Sequence, residues 1–222
     1  MSVSVLNDWA GQTAGKPTGS LTISAGSGRV LWVVYFAELS GTHTFTSITV
    51  GGQSPTTSKV EESADHADTF IWSWFWDEAA IAAMSGTTLT LTESGTPSKH
   101  DWDYIVFQGA LDGAEYATSV DIASADTADI TTTSASTSDD FLAVAFNRTA
   151  ASRDVTDYDT LTQGWQFNTD YSIGVADGAG GDDTTTLTGD GISDDWFVQL
   201  LHMKAGTSGM LIRQQHEGLL NG

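Results

Sequence analysis

The chain has 222 residues, of which 40% are hydrophobic, and it contains eight tryptophans and no cysteine. This composition can fill the core of one all-β domain and excludes disorder throughout, while the lack of thiols excludes disulfides and thiolate metal sites. Twenty-nine acidic residues against eight basic ones give a formal net charge of -21. We therefore exclude nucleic acid and anionic membranes as partners, because phosphate binding requires clustered lysine and arginine.

The first 20 residues form the first predicted element, an extended N-terminal arm over 1–20. They are rich in Gly, Thr and Ser, and Lys16 and Pro17 interrupt any regular structure. The opening MSVSVLNDWAGQ lacks the basic and apolar regions of a secretory signal. A run of about 18 apolar residues, which a bilayer-spanning helix needs, is also missing, so we expect no membrane contact.

Short β-type runs follow the arm, separated by turns rich in Gly, Ser and Asp. The predicted strands lie at 21–24, 29–38, 45–50, 69–77, 87–93, 102–110, 117–122, 128–133, 140–148, 171–176, 184–188 and 195–204. The pattern restarts near residue 140, and DWFVQLLHMKA at 195–205 echoes DWDYIVFQGA at 101–110. Evenly spaced short strands predict an all-β fold, an antiparallel β-sandwich or jelly roll that occupies 21–205 as one domain between extended terminal arms.

Two segments inside this domain stand out. DEAAIAAMSG at 77–86 is Ala-rich, acidic at its start and closed by a glycine, which predicts a helix of one or two turns. In TFIWSWFW at 69–76, alternation places Trp72, Trp74 and Trp76 on one face of a strand. The other face is apolar except at Ser73, so a buried central strand is the main interpretation, with an aromatic glycan platform built from these three tryptophans as the alternative.

The last segment, GTSGMLIRQQHEGLLNG at 206–222, places apolar residues around a polar centre. It is too short to form a core, so we predict a docking tail that packs either on the parent domain or on another subunit. The candidate docking residues are Met210, Leu211, Ile212, Arg213, Leu219 and Leu220.

Motifs for catalysis or metal binding are missing from the sequence. The five histidines are scattered without metal-binding spacing, and no GxSxG nucleophile motif occurs. Paired carboxylates for glycoside cleavage remain an alternative in so acidic a chain, although no particular pair is marked. Clusters of Asp leave a structural calcium ion open, but none matches the EF-hand pattern. They are Asp177 with Asp182 and Asp183, Asp154 with Asp157 and Asp159, and Asp194 with Asp195. We predict neither an enzyme nor a cofactor.

Several strands together carry a resemblance to a known family. They are GRVLWVVYFAE at 28–38, TSITVGGQSPT at 46–56, WSWFWDE at 72–78, TTLTLT at 87–92, DWDYIVFQGA at 101–110 and DDFLAVAF at 139–146. Their order resembles a β-sandwich domain of phage virion proteins and bacterial surface proteins, over about residues 21–205. Ser54 and Pro55 depart from the apolar pair that follows GGQ in that family. The resemblance implies a structural or adhesive role and supplies no catalytic residues.

The leading functional hypothesis is a virion structural protein of a tailed phage, most simply a surface decoration (cement) or spike subunit anchored by its terminal arms. Such a protein would assemble in the host cytoplasm, leave by lysis, form a homo-oligomer and contact capsid or other virion subunits. One alternative is a carbohydrate-binding module of a tail fibre or adhesin, and another is a subunit of a tail tube or terminator ring. A glycoside hydrolase is the enzymatic alternative.

Overall fold

The structure, a computed structural model, describes residues 2–11, 13–38, 44–62, 69–94, 99–148, 154–167, 172–192 and 194–206. Across these residues the chain forms antiparallel sheets and one short helix, which confirms the predicted all-β antiparallel sandwich. The jelly-roll connectivity and the anchoring arms stay predictions. The helix in these residues does not have the length and apolar character that crossing a membrane requires.

The first half of the chain builds a central sheet and a smaller outer sheet. The central sheet consists of β1 (Ser4–Asn7), β2 (Thr13–Ala14), β4 (Val30–Glu38), β6 (Thr57–Glu62), β7 (Thr69–Trp76) and β9 (Lys99–Gln108). Its order is β1-β9-β4-β7-β6, and β2 also pairs with β9. The outer sheet has the order β3-β8-β5 and consists of β3 (Gly19–Ser20), β5 (Thr44–Val50) and β8 (Thr88–Ser94).

The only helix in the described residues, α1 (Glu78–Ala82), follows β7 and confirms the predicted short helix. The Asp77 side chain accepts a hydrogen bond of 2.9 Å from the backbone N–H of Ala80. This is an N-cap, which satisfies one of the free amides of the first turn. Ile81 turns the helix toward the core between the two sheets.

The second half repeats the same plan. Its central sheet has the order β10-β16-β12-β14-β13 and consists of β10 (Ala114–Ala125), β12 (Phe141–Arg148), β13 (Thr162–Phe167), β14 (Ser172–Ala179) and β16 (Asp194–Met203). Its outer sheet pairs β11 (Thr127–Thr131) with β15 (Thr184–Thr188). Because β1, β9, β4, β7 and β6 correspond in order to β10, β16, β12, β14 and β13, the chain contains a structural repeat. Strands β1 to β9 form the first repeat and β10 to β16 the second, which begins at Ala114 and not near residue 140.

Alternation along the central strands sends side chains to both faces, so the four sheets enclose three cores. The middle core, between the two central sheets, includes Trp32, Phe36, Ile105, Phe107, Ala145, Val175, Phe197 and Leu201. The first outer core includes Leu31, Val33, Trp74, Trp76, Val50 and Leu89. The second outer core includes Leu142, Val144, Trp196, Val198, Ile130 and Leu187. Each central sheet is therefore buried on both faces, which explains why its strands are nearly continuous hydrophobic runs.

A small polar network lies inside the middle core and joins the two repeats. The Ser73 hydroxyl contacts the Tyr116 hydroxyl at 2.9 Å and donates to the side-chain carbonyl of Gln199. The Gln199 amide in turn donates to the backbone carbonyl of Ile71 at 2.9 Å. Because each buried polar side chain here has a partner, the network can specify how the two sheets align.

The strand prediction was incomplete at the edges. Residues 21–24 are not a strand, whereas β6 and β13 were not predicted. Both missed strands lie at a free edge of a central sheet, where one side of the strand faces solvent and the sequence is too polar to show alternation. Within the predicted arm, β1 and β2 pair with β9, so this part of the chain belongs to the sheet.

Candidate functional site

Strand β7 and the two edge strands β5 and β6 border an open groove of about 420 Å³. We call it the aromatic groove and define it by the residues that line it: Phe45, Ser58, Lys59, Val60, Trp72 and Trp74. It lies at the side of the first repeat, where the outer sheet ends at β5 and the central sheet ends at β6. Neither edge is covered by a further described strand, which is why the space between the sheets stays open.

Aromatic rings form the floor and one wall of the aromatic groove. The ring of Phe45 lies 5.2 Å from Trp74 and 6.0 Å from Trp72, measured between ring centroids. Phe70 stacks on Trp72 at 5.1 Å with an interplanar angle of 10°. Val60, the cross-strand neighbour of Trp72, is 49% exposed and forms the opposite rim. These contacts hold the rings rigidly, so a ligand would meet a preformed surface.

The structure separates the three tryptophans of the predicted platform. Trp76 is fully buried, and its indole N–H donates to the backbone carbonyl of Gln53 at 3.0 Å. Trp74 is only 3% exposed, whereas Trp72 is half-buried at the mouth of the aromatic groove. A platform of three exposed rings does not form, because the outer sheet covers the inner end of β7. Alternation correctly placed the three rings on one face, but it could not show how far the outer sheet extends.

A second constellation, at the other side of the first sheet, holds the N-terminal residues. Asp103 on β9 is 1% exposed, and its carboxylate accepts backbone N–H bonds from Ala10 (3.0 Å), Gly11 (3.1 Å) and Tyr104 (2.7 Å). The indole N–H of Trp165, which belongs to the second repeat, donates to the same carboxylate at 2.5 Å. One buried side chain thus ties the N-terminal segment to both repeats. Burial raises the pKa of Asp103 to about 6, against the opposing effect of these donors.

Trp9 makes the reciprocal contact from the N-terminal segment to the second repeat. Its indole N–H donates to Asp177 on β14 at 2.6 Å, and its ring lies 5.9 Å from that of Trp32. The ring also covers Gly164, where a Cβ atom would come within 2.5 Å of Trp9 Cδ1. Burial raises the pKa of Asp177 to about 6, and the nearby charge of Asp8 acts in the same direction. We call these two contacts, centred on Asp103 and Asp177, the N-terminal clasp.

A cavity of about 460 Å³ lies beside the N-terminal clasp, with Asp8, Trp9, Gln163 and Asp177 among its lining residues. Two carboxylates and an indole ring in one cavity, with one pKa displaced, are features of many binding sites. Both carboxylates, however, already bond to Trp9, Asp8 through the backbone N–H and Asp177 through the indole. Both carboxylates therefore already serve to hold the N-terminal segment.

A buried arginine in the second repeat also serves packing. Arg148 is fully buried in the second repeat and donates to the backbone carbonyls of Asp154 and Ile192, each at 2.7 Å. Its guanidinium lies 4.6 Å from the centre of the Trp196 ring and 3.2 Å from an Asp190 oxygen. These acceptors and the ring replace most of the water that a guanidinium loses on burial, although the Nε of Arg148 has no hydrogen-bond partner among the described residues.

Metal binding finds no support in the part of the chain that the structure describes. There, no group of three or more His, Cys, Asp or Glu residues could hold a metal ion. In the cluster of Asp177, Asp182 and Asp183, Asp177 lies on β14 and accepts the indole N–H of Trp9, and Asp183 accepts the backbone N–H of Ser136 at 2.7 Å. His202 is buried 3.2 Å from Asp140. The predicted docking residues lie outside the described residues: Met210, Leu211, Ile212, Arg213, Leu219 and Leu220.

No protein-family model, curated protein or solved structure matches this chain. The resemblance to phage virion and bacterial surface domains therefore stays a prediction. The N-terminal clasp was missed by sequence reasoning, since nothing in the segment DWDYIVFQGA shows that four N–H groups converge on Asp103.

Proposed function

We propose that this chain is a structural protein of a tailed-phage particle, displayed on the particle surface as a decoration (cement) or spike subunit. The observation that carries the proposal is the use of the buried polar side chains. Ser73, Gln199, Asp103 and Arg148 all connect strands, repeats or the N-terminal segment. Buried hydrogen bonds that join strands, repeats and the N-terminal segment make the domain rigid. Rigidity is what a structural subunit of a particle needs.

The charge of the chain is consistent with that role. A net charge of -21 keeps such subunits soluble and separate until specific contacts bring them together. In this proposal the protein is made in the host cytoplasm, binds capsid or other virion subunits as a homo-oligomer, and leaves the cell by lysis. The segment that contains Met210, Leu211 and Ile212 provides apolar groups for docking.

Immunogold labelling of intact particles from the source culture tests the location. Antibody against the recombinant protein should give regular label over the heads of the particles. Label confined to the tail or its tip would replace decoration with a tail role, and particles without label would refute the proposal.

Residue substitutions test the docking segment. Replacing Met210, Leu211 and Ile212 with serine should abolish incorporation into particles while leaving the melting temperature unchanged, because the sandwich lies elsewhere in the chain. Replacing Gln214 and Gln215 with serine is the matched control and should leave incorporation intact. If the apolar variant is incorporated normally, this segment is not the anchor.

A further inference from the structure

The two repeats differ at the aromatic groove in a way that the fold itself does not require. Aligning the first residues of β4 and β12 places Val30 with Phe141, and the strand pairing then extends this alignment to the neighbouring strands of each sheet. In this alignment the cross-strand row Tyr35, Trp72, Val60 of the first repeat corresponds to Phe146, Gly174, Gln166 of the second. The next row pairs Trp74 with Ser58 in the first repeat and Ala176 with Gln163 in the second.

The second repeat has a corresponding groove, and its lining is polar. It is bordered by Asp154, Val155, Thr156, Gln163 and Gln166. At the position of Trp72 stands Gly174, where a Cβ atom would already come within 2.5 Å of the Phe146 ring. In the second repeat the Phe146 ring therefore fills the space above Gly174, and Tyr158 packs against it at 6.0 Å between ring centroids. The fold of the second repeat therefore forms without half-buried aromatic rings in this groove, so the fold of the first repeat does not require them either.

We propose that the aromatic groove binds a neutral sugar ring of an oligosaccharide. One face of a hexose carries C–H groups that pack against an aromatic ring, and its rim carries hydroxyls that need hydrogen-bond partners. Trp72, Phe45 and Val60 provide the apolar surface, and Ser58, which lies on the same face of β6 as Val60, provides a hydroxyl. A volume of about 420 Å³ falls in the range of small-ligand pockets and suits one or two sugar rings.

Charge and chemistry favour this occupant over others. The net charge of -21 disfavours nucleic acid and polyanionic chains. A purely apolar ligand would leave the Ser58 hydroxyl without a partner, whereas a sugar hydroxyl can bond to it. This inference goes beyond the proposed structural role and does not depend on it, because binding is measured on the purified chain alone.

Titration with soluble oligosaccharides tests the proposal. The probes are maltohexaose, cellohexaose, chitohexaose and mannohexaose, and the readouts are calorimetry and tryptophan fluorescence. We expect saturable binding of at least one probe, with affinity at least about ten-fold weaker in Trp72→Ala, because the stacking surface is lost. Trp72→Phe should recover part of that loss. If none of the four probes binds, or if Trp72→Ala binds as well as the wild type, the proposal is overturned.

A substitution at an exposed residue separates a loss of binding from a loss of folding. Val60→Glu changes an exposed rim residue, so the fold should persist while the charged group occupies the apolar surface and weakens binding. Ile192→Glu is the matched control, since Ile192 is 44% exposed in the second repeat, and it should bind as the wild type does. Sedimentation measurements test whether a second copy of the chain occupies the groove instead of a sugar. A wild-type dimer that Val60→Glu dissociates, without sugar binding, would assign the groove to a second copy of the chain.

Discussion

Replacing Asp103 with asparagine should remove a defined part of the pH dependence of stability. The side chain is 1% exposed, and burial raises the pKa of the carboxyl from 3.8 to about 6 in the folded state. In the unfolded chain the carboxyl returns to its ordinary value. Between these two pKa values the folded protein holds a proton that the unfolded chain has released, so acidification through this range stabilises the fold.

The size of the effect follows from the shift. Going from about pH 7.5 to about pH 4.5, Asp103 should add about 2 kcal/mol to the free energy of unfolding. Asp103→Asn cannot titrate and lacks this contribution, while it keeps the other carboxyl groups of the chain. The difference in stability between wild type and variant should therefore change with pH by about 2 kcal/mol in favour of the wild type on acidification.

Urea unfolding of both proteins at several pH values measures that difference. Comparing the two proteins cancels the titration of the remaining carboxyl groups, including Glu78, Glu115 and Asp140, whose pKa values are lowered in the folded state. In the variant, two of the four N–H donors at this site would face the side-chain NH2 group of asparagine instead of a carboxylate oxygen, which lowers the stability. This loss does not affect the test, because the test uses only how the stability difference changes with pH. A stability difference that stays constant across the pH range would refute the assigned burial of this carboxyl.

Two further predictions concern the N-terminal clasp and the buried arginine. Trp9→Ala should lower the free energy of unfolding by about 2–3 kcal/mol through lost ring packing and a lost bond to Asp177, and Trp9→Phe by about 1 kcal/mol, both measured by urea unfolding. A Trp9→Phe variant as stable as the wild type would contradict the role of the indole N–H, and equal losses in the two variants would contradict the role of ring packing. Arg148→Met should cost about 3–5 kcal/mol because buried acceptors lose their donor. Arg29→Met, which removes the partly exposed partner of Glu78, should cost under about 1 kcal/mol, and the reverse order in thermal melts would contradict this account.

The strands that the sequence predicted and those that it missed differ in burial. β4, β9, β12 and β16 lie inside central sheets with apolar neighbours on both faces, so each shows as a continuous hydrophobic run. β6 reads TSKVEE and lies at a sheet edge, where neither face demands a regular pattern. An edge strand such as β6 is recognised only in the structure, where its pairing with β7 is visible.

The candidate sites show the same division. The clustering of Trp72, Trp74 and Trp76 on one strand face follows from alternation, a local property of the backbone. Which ring remains accessible depends on how far the outer sheet extends over β7, and the edge strand of that sheet, β5, lies on a different part of the chain. The N-terminal clasp likewise joins Trp9 to Asp177 across 168 positions of sequence, a pairing for which no local pattern exists.

By itself the sequence determined the all-β class, the acidic surface, the short helix after β7 and the repetition of one strand pattern, because each depends on composition or on the local period of side chains. The tertiary structure alone decided that the two repeats share a middle core, that Asp103 lies buried among N–H donors, and that one repeat carries an aromatic groove where the other carries a polar one. These features depend on contacts between residues far apart in the chain, and such contacts are set by how whole sheets pack rather than by any neighbouring residues.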